Sequence, residues 1–222
     1  MKNYFKISAS LLGFALMFNS CEGDKVDPIP SQKKGIQLDE SATHGKILTD
    51  AAGRTLYYFS DDADGKSACT GGCLVNWPIY YSADAPSDAK VEKSEIGEIT
   101  RTDGAKQSTY KGWPLYYYKE DTKAKEIKGD KVGNIWYVAK PDYTVMVGNK
   151  QLVGANGTNY IQTGEGTGKT LYLTDDRGRT LYAFAPDTKD KNNYTKPDFS
   201  NDATWPIFQK ETATLPSYVN KD

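Results

Sequence analysis

The sequence predicts an all-β fold of tandem small antiparallel domains, sandwich-like or barrel-like, with the second copy incomplete. Three observations predict it. Leu48–Tyr57, LTDAAGRTLY, returns as Leu173–Tyr182, LTDDRGRTLY, with eight of ten residues identical at a constant offset of 125. The composition is rich in aromatic residues, 16 Tyr, 4 Trp and 7 Phe, and punctuated by glycine, which favours pleated strands over helices. No long helical period runs through the chain; its apolar residues instead come in short stretches divided by turn residues. For 222 residues with a visible repeat, two small domains are expected rather than one large one.

The chain opens on Lys2 and Lys6 and an apolar run from Ile7 to Phe18, too short to span a bilayer as a stable anchor. Residues 1–20 therefore read as an export signal. The run ends at Ser20-Cys21 and resembles a bacterial lipoprotein signal, in which the cysteine is acylated and becomes the first residue of the mature chain. More than one acyl chain, palmitate among them, is what makes such anchoring stable. Cysteine arithmetic agrees: three cysteines in an exported chain leave one over, and lipidation of Cys21 accounts for it. Cys69 and Cys73 are then free to form a disulfide across C-T-G-G-C, with Gly71 and Gly72 expected to supply positive φ values. So short a ring contributes only about 2 kcal/mol and serves to shape a loop.

Residues 21–37 are polar, include Pro28 and Pro30, and read as a flexible tether. The first domain spans residues 38–142. Lys46–Thr49, a turn at Asp50–Gly53, and Arg54–Phe59 have the form of a hairpin with Gly53 in the left-handed position. Strand period sets Leu56 and Tyr58 on one face and Tyr57 and Phe59 on the other. Further strands are expected at Asn76–Tyr81, Ile96–Arg101, Lys106–Tyr110, Pro114–Lys119 and Ile135–Ala139. Residues 143–222 form the second domain. It repeats the hairpin, and Trp77-Pro78-Ile79 returns as Trp205-Pro206-Ile207 at an offset of 128, so a last strand is expected at Trp205–Gln209. Counterparts of Glu98–Ala139 are missing from this copy. The expectation is that the chain is truncated; the alternative is that a neighbour or partner supplies those strands.

A shorter echo lies between the two copies: Leu56-Tyr57-Tyr58-Phe59 and Asp62 match Leu115-Tyr116-Tyr117-Tyr118 and Asp121, and again Leu181-Tyr182-Ala183-Phe184 and Asp187. With GRTLYYF, C-x3-C, Trp-Pro and a closing Trp136-Tyr137, the chain resembles the bacterial "secreted repeat of unknown function" lipoproteins, described by a Tyr-x-aromatic-x-x-Asp motif. The motif falls at Tyr57, Phe59 and Asp62, at Tyr116, Tyr118 and Asp121, and at Tyr182, Phe184 and Asp187. The resemblance covers residues 38–142 fully and 147–217 in part, and the second copy departs from it by lacking both cysteines. It implies an exported, mostly β, lipid-anchored protein and no established reaction.

Catalytic constellations are poorly served. The 28 basic and 29 acidic residues are intermixed, so no field gathers nucleic acid or coats an anionic membrane. His44 is the only histidine, and a structural or surface role outweighs a ligand role. Thr163–Thr170 mimics a phosphate loop, but Thr163 stands where the motif needs glycine, and a strand is expected after it rather than a helix. Asp61, Asp62 and Asp64, and likewise Asp175 and Asp176, lack the later glutamate of a helix-flanked calcium loop and read as turn residues. No cofactor and no metal are expected. The aromatic runs at 57–59 and 116–118 and the pair Tyr80-Tyr81 should each turn about half their rings to the core and half outward as a binding surface. The expectation is a non-catalytic, lipid-anchored outer-membrane protein, periplasmic or surface-exposed, that binds a protein partner as an accessory subunit. A redox or metal-handling accessory using Cys69 and Cys73, and a glycan-binding surface lipoprotein, are the alternatives.

Overall fold

The structure is a computed structural model that describes residues 32–219. The export signal, Cys21, the first part of the tether and the last three residues lie outside the described residues. Folded structure begins at Ile36 and Gln37, both buried, just inside the stretch read as tether.

Among the described residues twelve short strands and one α-helical turn, besides three 3-10 turns, follow in order: β1 (Gln37–Ser41), β2 (Gly45–Thr49), β3 (Tyr57–Phe59), α1 (Cys73–Asn76), β4 (Ile96–Thr100), β5 (Lys106–Tyr110), β6 (Trp113–Tyr116), β7 (Trp136–Val138), β8 (Val145–Lys150), β9 (Leu152–Val153), β10 (Asn159–Ile161), β11 (Gly164–Glu165) and β12 (Thr170–Asp175). Every pairing is antiparallel. The central sheet runs β4-β5-β6-β3-β7, flanked by the pairs β1-β2 and β8-β12 and the small sheet β11-β10-β9. The all-β expectation holds, and most strand positions with it.

The hairpin turn at Asp50–Gly53 forms as its residues dictate. Asp50 Oδ1 accepts from the amides of Ala52 and Arg54, and Gly53 takes φ of +83°. Its repeat is a true structural copy. Thr49 bridges Thr55 as Thr174 bridges Thr180, and the Leu56 amide donates to the Leu48 carbonyl as Leu181 donates to Leu173. Gly178 has φ of +82° at the position of Gly53.

Two expected strands are absent. Asn76–Tyr81 is not a regular strand, since α1 and Trp77 occupy its first residues; it runs beside residues 115–119 through a bridge at Ile79 and backbone bonds from Tyr80 to Leu115, Tyr117 to Pro78 and Lys119 to Asn76, whereas Trp205–Gln209 forms no ladder. The latter lacks a partner: in the first copy the corresponding bridge is made to Tyr116 of β6, and the second copy has no such strand among the described residues.

The core explains the bulky residues on both faces of β3. Tyr57 and Phe59 point into a cluster with Ile47, Trp77, Tyr116 and Trp136. On the opposite face Leu56 packs with Leu48, Tyr80 and Leu115, while Tyr58 packs with Trp113, Tyr137, Met146 and Val147. Met146 and Val147 belong to β8, so the second copy covers the face that would otherwise leave Tyr58 wet. Burial of each such side chain is worth about 1.5–3 kcal/mol. The expectation that half of the rings at 57–59 and 116–118 face solvent is therefore corrected: Tyr57, Tyr58, Phe59 and Tyr116 are buried, and Tyr117 and Tyr118 are half-buried. A strand central in a sheet and packed on both sides has no outward face.

Candidate functional site

The Tyr-x-aromatic-x-x-Asp motif has a structural meaning that its sequence does not announce. Tyr57 of β3 lies directly opposite Tyr116 of β6. The Tyr57 hydroxyl donates to Asp121 Oδ2 at 2.5 Å, and the Tyr116 hydroxyl donates to Asp62 Oδ2 at 2.6 Å. Each motif thus places its tyrosine on the other motif's aspartate. The second oxygen of each carboxylate accepts a backbone amide of its own loop, Ala68 on Asp62 and Lys128 on Asp121. Burial pushes Asp62 up to about 7 and raises Asp121 as well, against the lowering effect of those donated hydrogen bonds. Burial and the facing aspartate hold both tyrosines well above their ordinary range, so they remain donors.

The exchange belongs to a local two-fold relation that carries each residue to one 59 positions on, 57 to 116, 62 to 121, 77 to 136 and 79 to 138. Backbone bonds obey it. Tyr80 donates to Leu115 as Ala139 donates to Leu56, and Ser60 donates to Ile135 as Lys119 donates to Asn76. Around this axis four rings stack: Phe59 on Trp136 with centroids 4.0 Å apart, Trp136 on Trp77 at 3.8 Å, and Trp77 on Tyr118 at 4.4 Å.

The second copy is an open version of the same half-unit. Tyr182 meets Trp205 edge to face at 5.7 Å and 75°, close to the 5.5 Å and 76° of Tyr57 against Trp77. Asp187 accepts the amide of Asn193, six residues on, as Asp62 accepts Ala68. Nothing among the described residues plays the part of Tyr116 or Trp136 for it. Tyr182 is 74% exposed where Tyr57 is 0%, and Trp205 is 49% exposed where Trp77 is 5%. Together with Phe184, Ile207 and Phe208 they line an open groove of about 670 Å³. The outward aromatic surface expected of the first copy is found here instead.

The remaining expected sites fall as follows. Cys69 and Cys73 form a disulfide with Cα atoms 5.4 Å apart, and Cys69 is buried. Gly71 supplies a positive φ of +54°, but Gly72 does not; its φ of −60° starts α1. Arg101, which no sequence pattern marked, is buried beneath this loop. Its guanidinium donates to the Cys69 carbonyl at 2.8 Å, to Gln107 at 3.0 Å and to Ser67, and pairs with Asp103. His44 Nε2 stands 3.3 Å from Asp130, and its Nδ1 contacts Thr43. The acidic turns are engaged by partners: Asp61 by Asn149 and Lys169, Asp64 by Lys150, Asp175 by Arg179 and Asp176 by Lys111. Among the described residues no three His, Cys, Asp or Glu side chains gather as metal ligands do. Thr163–Thr170 runs from β11 into β12 rather than into a helix. Tyr80 is buried and Tyr81 is exposed.

These features define a class of protein, an all-β unit made by interlocking two copies of a short motif, with a further copy left open. The family described as a "secreted repeat of unknown function" matches twice, at residues 41–80 and 97–140, and this part of the chain is similar to that family. The two matched segments are the two halves related by the 59-residue shift, so the family's repeat is half as long as the internal duplication of residues 48–59 suggests. No curated protein and no solved structure matches the chain. No helix among the described residues is long and apolar enough to cross a membrane.

Proposed function

We propose that this protein is a non-catalytic, lipid-anchored component of the cell envelope that binds a protein partner, as an accessory subunit of an outer-membrane assembly. The observation that carries the reading is the groove at Tyr182, Phe184 and Trp205, an aromatic face preformed in the geometry that the first copy uses to grip a neighbouring repeat. Large, rigid rings of low conformational entropy with a hydroxyl at the tip suit protein contact. The leader and Cys21 support anchoring on a membrane, and a family of secreted repeats accords with export. The Cys69–Cys73 disulfide, with Cys69 buried over Arg101, supports a loop-shaping role rather than a redox one. Glycan binding is the second reading, favoured by the exposed faces of Tyr182 and Trp205 in the same groove.

Affinity capture from envelope membranes tests the proposal, comparing the intact chain with its Tyr182→Ala/Trp205→Ala variant. A partner recovered by the first and lost from the second supports it. Recovery of the chain alone, with or without the substitutions, contradicts it. Binding to an arrayed glycan that the same substitutions abolish transfers the groove to the second reading. Acylation is checked separately, by fatty-acid labelling of the intact chain and of Cys21→Ala.

A further inference from the structure

Resting on the reading of this groove as a protein-binding surface, we propose that its occupant is a second copy of this chain, whose own third half-unit pairs with it about a two-fold axis. The template is inside the molecule. The first two half-units hold each other through a contact in which both contribute the same things, a tyrosine donor, an aspartate acceptor, a strand edge and a tryptophan face. A surface that carries both members of every interaction is self-complementary, which is what an isologous dimer requires. The third half-unit carries the full set: Tyr182 for Tyr57, Phe184 for Phe59, Asp187 for Asp62 and Trp205 for Trp77.

Carried over, the template specifies the interface. Tyr182 would lie opposite its own counterpart, as Tyr57 lies opposite Tyr116. Its hydroxyl would donate to the partner's Asp187, whose Oδ2 has no partner among the described residues because Asn193 uses Oδ1. Trp205 would stack on the partner's Trp205 as Trp77 stacks on Trp136, giving a four-ring stack capped by Phe184 at each end. The backbone of residues 182–184, which belongs to no sheet among the described residues, would gain a ladder. The chain's own first two half-units are no substitute as occupants, since each is already satisfied by the other. The area is of the right order. At roughly 200 Å² per aromatic side chain, the exposed fractions of Tyr182, Phe184, Trp205 and Phe208 come to about 400 Å² of apolar surface. That is about half of the roughly 800 Å² each partner buries in a standard interface, before backbone and flanking residues are added.

Disulfide trapping of the full chain in intact envelopes tests this. Residues directly opposite across an antiparallel pair have Cβ atoms about 4.5–5.5 Å apart, so a Tyr182→Cys chain should cross-link to itself and run as a covalent dimer on a non-reducing gel. Val75→Cys, equally exposed but on the first half-unit, should stay monomeric. Adding Trp205→Ala should cut the Tyr182→Cys dimer at least tenfold. Because Trp205 is half-exposed, circular dichroism of that variant should match the parent's. The proposal is overturned if Tyr182→Cys dimerises no more than Val75→Cys, or if the dimer survives Trp205→Ala undiminished. A chain that fails to self-cross-link yet still captures another protein through Trp205 refutes the homodimer and leaves the binding reading standing. Loss of both refutes both.

Discussion

Removing one hydroxyl should expose how much the interlock is worth. Tyr57→Phe keeps the ring and its packing, so no cavity opens, but deletes an oxygen that donates to Asp121 at 2.5 Å and accepts from the Gly129 amide at 3.2 Å. A hydrogen bond to a charged acceptor is worth about 1.5–3 kcal/mol, and an amide left buried without a partner costs about 1–3 kcal/mol. Gly129 packs closely on both rings, since a methyl group there would lie 2.9 Å from Trp77 and Tyr57. A loss of about 3 kcal/mol follows, or roughly 10 °C in Tm for a protein of this size. Urea unfolding followed by tryptophan fluorescence reads it, with Asp121→Asn and the double variant completing a cycle. A coupling of about 1–3 kcal/mol between the two sites is expected. A loss below about 1 kcal/mol for Tyr57→Phe, or additive single effects, would refute the reasoning that the motif's tyrosine acts through the other motif's aspartate.

Other perturbations follow from the same contacts. Trp136→Ala removes the ring sandwiched between Phe59 and Trp77 and should cost about 3–5 kcal/mol by calorimetry; a cost under about 1 kcal/mol would mean the stack does not hold the halves together. Asp62, pushed up to about 7 by burial, holds its proton in the folded state across a range where the unfolded chain has released it. Its contribution is complete below pH of about 4 and lost as pH rises toward 7, at about 1.4 kcal/mol per unit. Asp62→Asn should accordingly flatten the stability profile over that window, and superimposable profiles would sink the assignment. Cys69→Ser/Cys73→Ser should cost about 2 kcal/mol while leaving the central sheet intact by circular dichroism, because the loop is also held by Arg101.

Much of this architecture could be read from residues 48–59 and 173–184 alone. The shared Asp-Gly turn chemistry and identical residues yielded the two hairpins that the structure contains, and period-two alternation put Leu56 and Tyr57 on the faces they occupy. The deeper symmetry was present but faint. Only Leu-Tyr-Tyr and an aspartate link 56–62 to 115–121 by identity, while Trp77 with Trp136 and Ile79 with Val138 keep the same spacing amid unrelated neighbours. Which rings face solvent was not readable, because that depends on β8 folding back over Tyr58, a contact between residues 88 or more positions apart in sequence. Arg101 gave no signal for a similar reason: its partners at Ser67, Cys69 and Gln107 are drawn together only by the sheet. The open groove was visible solely as a shortage, the missing counterparts of Glu98–Ala139, and the strand expected at Trp205–Gln209 fails for want of the neighbour those residues provide in the first copy.

Site-specific photo-cross-linking in living envelopes tests the central claim most directly, with a photoreactive phenylalanine analogue placed at Phe184, inside the groove, or at Val75, outside it. Contact through the open half-unit predicts a discrete protein adduct from the first position and none from the second. A chain that remains free of adducts at position 184, or that reacts equally at both, would contradict it.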